Sequence, residues 1–231
     1  ENASYNLALS IEAASTFDDG NGTVTFTIGD TTRINTNTNP LYNVIVNNAN
    51  ASIEYLGDQT IDNDLTVTAG KFRYNNFEDL TVTGDVSVTG ILGHPTTTTT
   101  SDSTFGSLTI NSGGEYKAPS GTTTITDETS GGYGLINSGT YTHNNGKLKI
   151  DFNTPNKDAH TIIQVNDLYD LEIDMNASNY EVKFDDTSGN ATNILNNLDI
   201  TQGVFESKDN GETLKIHGIT KITSKGKFMP N

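Results

Sequence analysis

The sequence predicts an all-β protein built as a parallel β-helix, or β-solenoid. Three observations predict this class: short runs of alternating apolar residues, turn-forming residues between the runs, and repetition of both along the chain. No run has the apolar spacing of an amphipathic helix, so we expect almost no helix.

The strand prediction rests on the alternating runs. Alternation over about four to eight residues places one face of a strand in a core and the other in water. Thr and Val are common in these runs and suit a pleated surface, because their branched side chains are stiff. Gly, Asn, Asp and Ser lie between the runs and tolerate tight turns. Examples of the runs are LTVTAGKF, LTVTGDVSV, KLKIDF, LDITQGVF and TLKIHGITKI.

A long repeat runs through the chain. The phrase LYNVIVNNANAS begins at Leu41, and LYDLEIDMNAS begins at Leu168. Neighbouring blocks recur in the same order: FDDGNGTVTF with YTHNNGKLKI, LTVTAGKF with LDITQGVF, and LTVTGDVSV with LKIHGITKI. We interpret these matches as a tandem repeat of about 125 to 135 residues. The predicted organisation is the end of a preceding repeat over 1–16, one full unit over 17–140, and a partial second unit over 141–231, all in one continuous solenoid. Neighbouring repeats of the same parent protein are the expected partners.

Two architectures accommodate many short strands: the β-solenoid and tandem β-sandwich modules. A shorter motif, an apolar-x-apolar run followed by Gly and an aromatic residue, recurs inside each long unit. A coil of about 20 to 30 residues that repeats in this way favours a solenoid, since each coil stacks its inward side chains on those of the next. We therefore expect a right-handed parallel β-helix and keep sandwich modules as the alternative.

The doubled phrase also predicts particular positions. Tyr42 and Tyr169 are expected to cover corners of the coil. Asn50 and Asn176 are expected to have positive φ or to cap a turn through the side-chain amide, and aligned Asn side chains are expected to form hydrogen-bonded ladders. The residues predicted to point inward are Leu41, Val44, Val46, Leu168, Leu171 and Ile173.

The composition argues against several partners and sites. Cys is absent, which excludes disulfides and cysteine metal sites. The net charge is −16, from 13 basic and 29 acidic residues, and argues against nucleic acid, whose phosphates require a basic face. No apolar run has the length of a membrane span, so we expect no membrane insertion.

Several phrases resemble the repetitive β-rich proteins of tailed phages of marine bacteria, which are regarded as virion or tail-associated structural proteins. Similar phrases occur in large bacterial surface adhesins. The resemblance covers about Phe17 to Phe228 and implies a structural or attachment role in a virion or at a cell surface, with a cell-surface glycan as one expected partner. Because phage fibres are often trimeric, a homotrimer is one expected assembly. The phrases that carry the resemblance are LYNVIVNNA, NDLTVTAGKF, EDLTVTGDVSVTG, FGSLTINSGGEYKAPSGTTTIT and GTYTHNNGKLKI.

The turn DDGNG contains candidate metal ligands. Asp18, Asp19 and Asn21 carry oxygen atoms, the ligand type that Ca²⁺ prefers. The aligned turn of the second unit reads THNNG, which keeps the final glycine and loses the acids. This favours a plain surface turn. We predict no dedicated metal site and no cofactor, with incidental Ca²⁺ binding as the alternative.

The sequence predicts no catalytic residue. The four histidines lie in separate blocks without metal-site spacing, and His217 occupies an outward strand position where solvent is expected. Serine-hydrolase and nucleotide-loop motifs are absent. Two carboxylates at glycosidase spacing are expected by chance among 29 acidic residues. We expect a non-enzymatic structural or attachment segment of a phage virion appendage, such as a tail fibre, in the form of an elongated scaffold that displays loops. The alternatives are a bacterial surface adhesin segment and a carbohydrate-binding or polysaccharide-degrading β-helix.

Overall fold

A computed structural model describes residues 7–74, 77–93, 100–152, 160–165, 167–184, 192–207 and 213–229. Within these ranges the regular structure is β-strand, and no helix there could cross a membrane. The strands, in chain order, are β1 Leu7–Ser10, β2 Thr23–Phe26, β3 Thr31–Asn35, β4 Asn43–Tyr55, β5 Gln59–Ile61, β6 Leu65–Tyr74, β7 Leu80–Val88, β8 Ile91–Gly93, β9 Ser103–Ile110, β10 Glu115–Lys117, β11 Thr122–Ile125, β12 Tyr133–Asn137, β13 Thr140–Thr142, β14 Lys147–Ile150, β15 His160–Ile163, β16 Asp167–Leu168, β17 Asp170–Asp174, β18 Glu181–Phe184, β19 Thr192–Ile194, β20 Leu198–Glu206, β21 Leu214–Ile216 and β22 Thr220–Met229.

The described strand pairs are all parallel and form three ladders, which we call A, B and C. Ladder A contains β2, the start of β4 and of β6, the end of β7 and of β9, β12, β15, β18, and the end of β20 and of β22. Ladder B contains β1, β3, the end of β4 and of β6, β8, β10 and β13, followed by β16, β19 and β21. Ladder C contains Leu41, β5, the start of β7 and of β9, β11, β14, β17, and the start of β20 and of β22.

The chain visits ladders A, B and C in a fixed order, so it coils. The result is a β-solenoid of about nine turns, which confirms the predicted fold class. Sandwich modules are excluded, because their sheets are antiparallel. The handedness of the coil stays a prediction.

Inward side chains stack from coil to coil. Val24 pairs with Val44 and Tyr133 with Ile162, so partners on ladder A lie between 20 and 29 residues apart. This confirms the predicted coil length. One column of stacked, buried side chains on ladder A consists of Val44, Leu65, Val86 and Leu108.

The recurring Gly and aromatic pair forms the corner between two ladders. A Cβ on Gly139 would overlap the carbonyl oxygen of Gly114 on the preceding coil. Only glycine therefore lets the chain bend this closely over its neighbour, and the aromatic residue two positions later begins the next ladder. Gly70 and Phe72 form the same corner, and Phe72 is fully buried.

The two copies of the long repeat lie on different ladders. Val44 belongs to ladder A, whereas the aligned Leu171 belongs to ladder C. Likewise Leu65 begins its phrase on ladder A, and Leu198 begins the matching phrase on ladder C. The repeat is therefore not a whole number of turns, and the second copy is rotated by one ladder. The inward prediction is nevertheless confirmed, since each of the six residues is at most 1% exposed: Leu41, Val44, Val46, Leu168, Leu171 and Ile173.

Side-chain oxygens of Asn and Asp form hydrogen-bonded columns at the corners. Asn43 Oδ1 accepts from Asn63 Nδ2 at 2.9 Å and from the backbone N–H of Asp64 at 3.2 Å. Asp64 Oδ1 accepts from the backbone N–H of Asp85 at 2.9 Å, and Asp85 Oδ1 accepts from Ser107 Oγ at 2.7 Å. The predicted Asn ladders are thus confirmed in part, because the columns contain Asp as well as Asn and bind backbone groups as well as side chains.

The second copy repeats this corner atom for atom. Asp170 Oδ1 accepts from Asn196 Nδ2 at 2.9 Å and from the backbone N–H of Asn197 at 2.8 Å. Tyr42 and Tyr169 are both half-buried beside these bonds, as predicted for corner residues. The repeat therefore preserves a hydrogen-bonded corner together with a stripe of core residues.

Neither Asn50 nor Asn176 is left-handed, so the first alternative, positive φ, is wrong, and capping of the turn through the side-chain amide stays a prediction. Asn50 lies within β4, where the backbone is extended. Its N–H is capped by Asn48 Oδ1 at 2.9 Å, and Gly70 on the next coil takes the left-handed conformation, with φ of 81°.

Candidate ligand-binding cleft

Ladder B opens between β13 and β16. β13 pairs with β10 and β16 pairs with β19, but no pairing joins β13 to β16 among the described residues. Ladders A and C stay closed at the same height, because β12 pairs with β15 and β14 pairs with β17. As far as the described residues show, the wall of the solenoid therefore lacks strand pairing on one of its three sides at this height.

Two adjoining cavities occupy this opening. Tyr141 and Asp167 line both cavities, so we treat them as one site and call it the ladder B cleft. The larger cavity has a volume of about 470 Å³ and is lined by Tyr141, Thr142, His143, Asn144, Asn145 and Asp167. The smaller has a volume of about 200 Å³ and is lined by Asn137, Gly139, Thr140, Tyr141, Val165 and Asp167. The larger volume lies in the range of small-molecule sites.

One wall of the cleft is the turn over residues 142–146. Asn144 and Asn145 are both left-handed, with φ of 48° and 60°, and Gly146 N–H donates to the carbonyl of His143 at 2.8 Å. Asn tolerates this conformation better than most residues with a side chain. The tight turn places His143 and both Asn side chains on the cleft wall.

His143 has a fixed ring and a defined tautomer. Its ring stacks on Tyr169, with centroids 5.8 Å apart and planes 18° apart. Burial lowers the pKa of His143, and the nearby Asp167 carboxylate acts in the opposite direction. The imidazole is therefore mainly neutral at pH 7. Because Nδ1 accepts a hydrogen bond from Asn145 N–H at 3.0 Å, the proton lies on Nε2, which makes Nε2 a donor.

Other polar side chains of the cleft are oriented by neighbours. Asp167 Oδ1 accepts from Asn193 Nδ2 at 2.6 Å, although Asp167 itself is exposed. Asn144 Nδ2 donates to the carbonyl of Ala118 at 2.7 Å. Among the described residues of the lining, Asp167 is the single carboxylate. The cleft thus presents oriented donors and acceptors with little charge.

Backbone groups also point into the opening. In a parallel ladder the N–H and C=O groups of successive residues point to opposite sides. The N–H of Thr140 and the C=O of Thr142 are hydrogen-bonded to the β10 side. The backbone N–H and C=O of Tyr141 therefore point toward β16. The C=O of Leu168 is hydrogen-bonded to the β19 side. The backbone N–H and C=O of Asp167 therefore point toward β13.

A second turn with the same backbone contains the candidate calcium ligands. Gly20 and Asn21 are left-handed, with φ of 51° and 62°, and Gly22 N–H donates to the carbonyl of Asp19 at 2.7 Å. Asp18 Oδ1 accepts from Gly20 N–H at 3.0 Å. The predicted surface turn is confirmed, and Ca²⁺ binding there stays a prediction. Over the described part of the chain, no three His, Asp or Glu side chains gather as a metal site would require.

The sequence pattern does not reveal the ladder B cleft. His217 is exposed, as predicted, whereas His94 and the side chain of His160 lie outside the described residues. His143 and Asp167 come together only through the coil. The available signal is the replacement of the two acids of the first turn by Thr142 and His143, in a turn whose backbone is unchanged.

No protein-family model matches this chain, and comparison with curated proteins and with solved structures gives no significant match.

Proposed function

We propose that the chain is a structural segment of a virion appendage, such as a phage tail fibre, in which it acts as a scaffold and stacks on neighbouring repeats of its parent protein. The resemblance of its repeat phrases to tail-associated proteins supports the virion context. The scaffold role is supported by a core that is continuous from coil to coil. A bacterial surface adhesin segment would use the same properties.

The observation that carries this proposal is the state of the two end coils. Ile222 is 46% exposed, whereas its ladder C partner Ile200 on the preceding coil is fully buried. Ile219 is 72% exposed, and Leu7 at the opposite end is 52% exposed. Among the described residues, β1 pairs only with β3 and β22 only with β20. An additional coil at either end would cover these side chains and pair the second edge of the end strand, and both changes are favourable.

The dimensions of the segment agree with a building block of a fibre. Nine turns at about 4.8 Å per turn give a stack about 43 Å high. The accessible surface of 10612 Å² is close to the roughly 10,200 Å² that area scaling gives for a compact monomer of this size. The length of a fibre would therefore come from stacking many such segments.

Sedimentation equilibrium of the purified chain tests the stacking. We expect concentration-dependent self-association that is lost in the double variant Ile219→Lys, Ile222→Lys. The matched control, Thr66→Lys with Ser87→Lys, adds the same charge to the outer wall of ladder A and should leave association unchanged. A chain that stays monomeric, or that loses association only in the wall variant, would contradict end-to-end stacking.

Mass spectrometry of purified particles tests the location. We expect peptides of this chain in phage particles from the source culture. Peptides released by protease from intact bacterial cells, and missing from particles, would instead favour the adhesin. Peptides confined to the soluble cell lysate would contradict both.

A further inference from the structure

We propose that the ladder B cleft is a binding site for a neutral saccharide, with one sugar ring packed on His143 and its hydroxyl groups bonded to the polar groups around it. The scaffold function does not require this site, so the two proposals can fail separately.

The chemistry of the cleft matches that of a sugar ring. A sugar presents an apolar C–H face and a rim of hydroxyl groups that both donate and accept hydrogen bonds. The His143 ring is held in place by Tyr169 behind it, and Tyr141 lines the same space, so the cleft has a rigid apolar platform. Donors and acceptors surround this platform: Asn137, Asn144, Asn145, Thr140, Thr142 and Asp167.

The charge of the cleft favours a neutral ligand. Within the part of the lining that the structure describes there is one carboxylate, on Asp167, and an imidazole whose pKa is lowered by burial. The chain as a whole carries a net charge of −16, which repels phosphates and acidic glycans. A hard cation such as Ca²⁺ takes six to eight oxygen ligands, and a single carboxylate supplies too little negative charge for such a site.

The geometry of the opening favours a small ligand over a peptide strand. Ladders A and C pair consecutive coils on either side of the cleft, at the usual spacing of about 4.8 Å. A peptide inserted between β13 and β16 would need about twice that spacing. The closed ladders resist such an opening, whereas a sugar needs only the existing cavity of about 470 Å³.

The first copy of the repeat provides a natural contrast. Its turn has the same backbone, but the position aligned with His143 is Asp19, and the position aligned with Tyr141 is Phe17. The position aligned with Asp167 is Pro40, which has neither a carboxylate nor a backbone N–H. The side chains of Tyr141, His143 and Asp167 are thus specific to the second copy, whereas Thr140 and Asn145 have the same residue types, Thr16 and Asn21, in the first copy.

Nuclear magnetic resonance titration of the ¹⁵N-labelled chain tests the proposal. The probes are cellotetraose, maltotetraose and tetra-N-acetylchitotetraose, each added to about 10 mM so that millimolar affinities are detected. We expect at least one probe to shift the amide signals of Tyr141, Asn145 and Asp167. His143→Ala should weaken that binding at least about tenfold, while His143→Phe, which keeps a ring to stack on, should retain most of it.

Two variants complete the design. Asp167→Ala lies at an exposed position, should leave the dispersed spectrum intact, and should also weaken binding. Asp19→Ala, the matched control in the first copy, should leave the affinity unchanged. The proposal is overturned if no probe shifts the cleft signals, if the shifts map elsewhere, or if His143→Ala and Asp167→Ala both bind as the parent chain does.

Discussion

The turns over residues 18–22 and 142–146 have the same backbone conformation but carry different side chains. Each has two successive left-handed residues, and each closes with a hydrogen bond from its final glycine, Gly22 or Gly146. The first presents Asp18 to solvent near one end of the stack, with Asp19 half-buried beside it, and the second presents His143 to a cleft between coils. Packing therefore preserves the backbone of the repeat, while the side chains on it are free to acquire a different chemistry.

The largest difference in stability between the two turns is expected when their final glycines, Gly22 and Gly146, are replaced. A Cβ on Gly146 would overlap the carbonyl oxygen of Pro119 on the preceding coil, whereas one on Gly22 would lie 3.0 Å from the Asp19 carbonyl oxygen of its own turn. We expect Gly146→Ala to lower the free energy of unfolding by about 3 kcal/mol and Gly22→Ala by about 1 kcal/mol or less. Urea denaturation measures both values. Equal losses would mean that the second turn is not pressed against the preceding coil.

The next largest loss of stability is expected at the hydrogen-bonded corner that the two copies share, where Asn43 or Asp170 accepts the bonds. Asp170→Ala removes the acceptor of two hydrogen bonds, from Asn196 and Asn197, and should cost about 1 to 2 kcal/mol. Asn43→Ala should cost a similar amount in the first copy. Asp170→Asn keeps the oxygen acceptor and is the matched control. If Asp170→Asn loses as much stability as Asp170→Ala, then the charge of Asp170, rather than its two hydrogen bonds, stabilises this corner.

The pH dependence of stability tests the burial of His143, which occupies the position of Asp19 in the first copy. Burial lowers the pKa of His143 in the folded chain, so the unfolded chain binds a proton first as the pH falls. The stability associated with the neutral ring is present above about pH 6.5 and is lost as the pH falls through the folded pKa. His143→Phe should therefore lose less stability between pH 7 and pH 5 than the parent chain does, by urea denaturation at both values.

The carboxylate of Asp167 gives an internal check on this behaviour. It acts to raise the pKa of His143, so Asp167→Asn should lower that pKa further. Nuclear magnetic resonance titration of the His143 ring protons measures both values. A His143 pKa at or above 6.5 in the parent chain would contradict the buried environment of the cleft.

The smallest effect is expected on the outer wall of ladder C. Lys149 Nζ lies 2.7 Å from Asp151 Oδ2 and 3.0 Å from Asp174 Oδ2, with all three side chains partly exposed. The aligned residue of the first copy is Thr25. Because partly exposed ion pairs contribute little, Lys149→Thr should lower the free energy of unfolding by less than about 1 kcal/mol, and by less still in high salt. A loss above about 2 kcal/mol would mean that this network supports the fold.

The sequence predicts the core better than it predicts the placement of the repeat. Leu171 and Val44 were identifiable as inward residues because alternation marks the two faces of a strand wherever that strand lies. Their ladders could not be predicted, since the number of residues per turn varies from 20 between Val24 and Val44 to 29 between Tyr133 and Ile162. The cleft could not be predicted either, because it depends on the lack of pairing between the described residues of β13 and β16, and local patterns do not specify which strands pair.

Disulfide formation between introduced cysteines tests the rotated repeat most directly, because the chain has no Cys of its own. Thr66 pairs with Ser87 on ladder A within the first copy, and Thr124 of the first copy pairs with Lys149 of the second copy on ladder C. Paired residues of neighbouring parallel strands have Cα atoms about 4.8 Å apart, which a disulfide can bridge. Both double-cysteine variants should form an intramolecular disulfide on oxidation, detected as faster migration in a non-reducing gel. A cross-link in the Thr66 and Ser87 pair alone would contradict the placement of the second copy on ladder C.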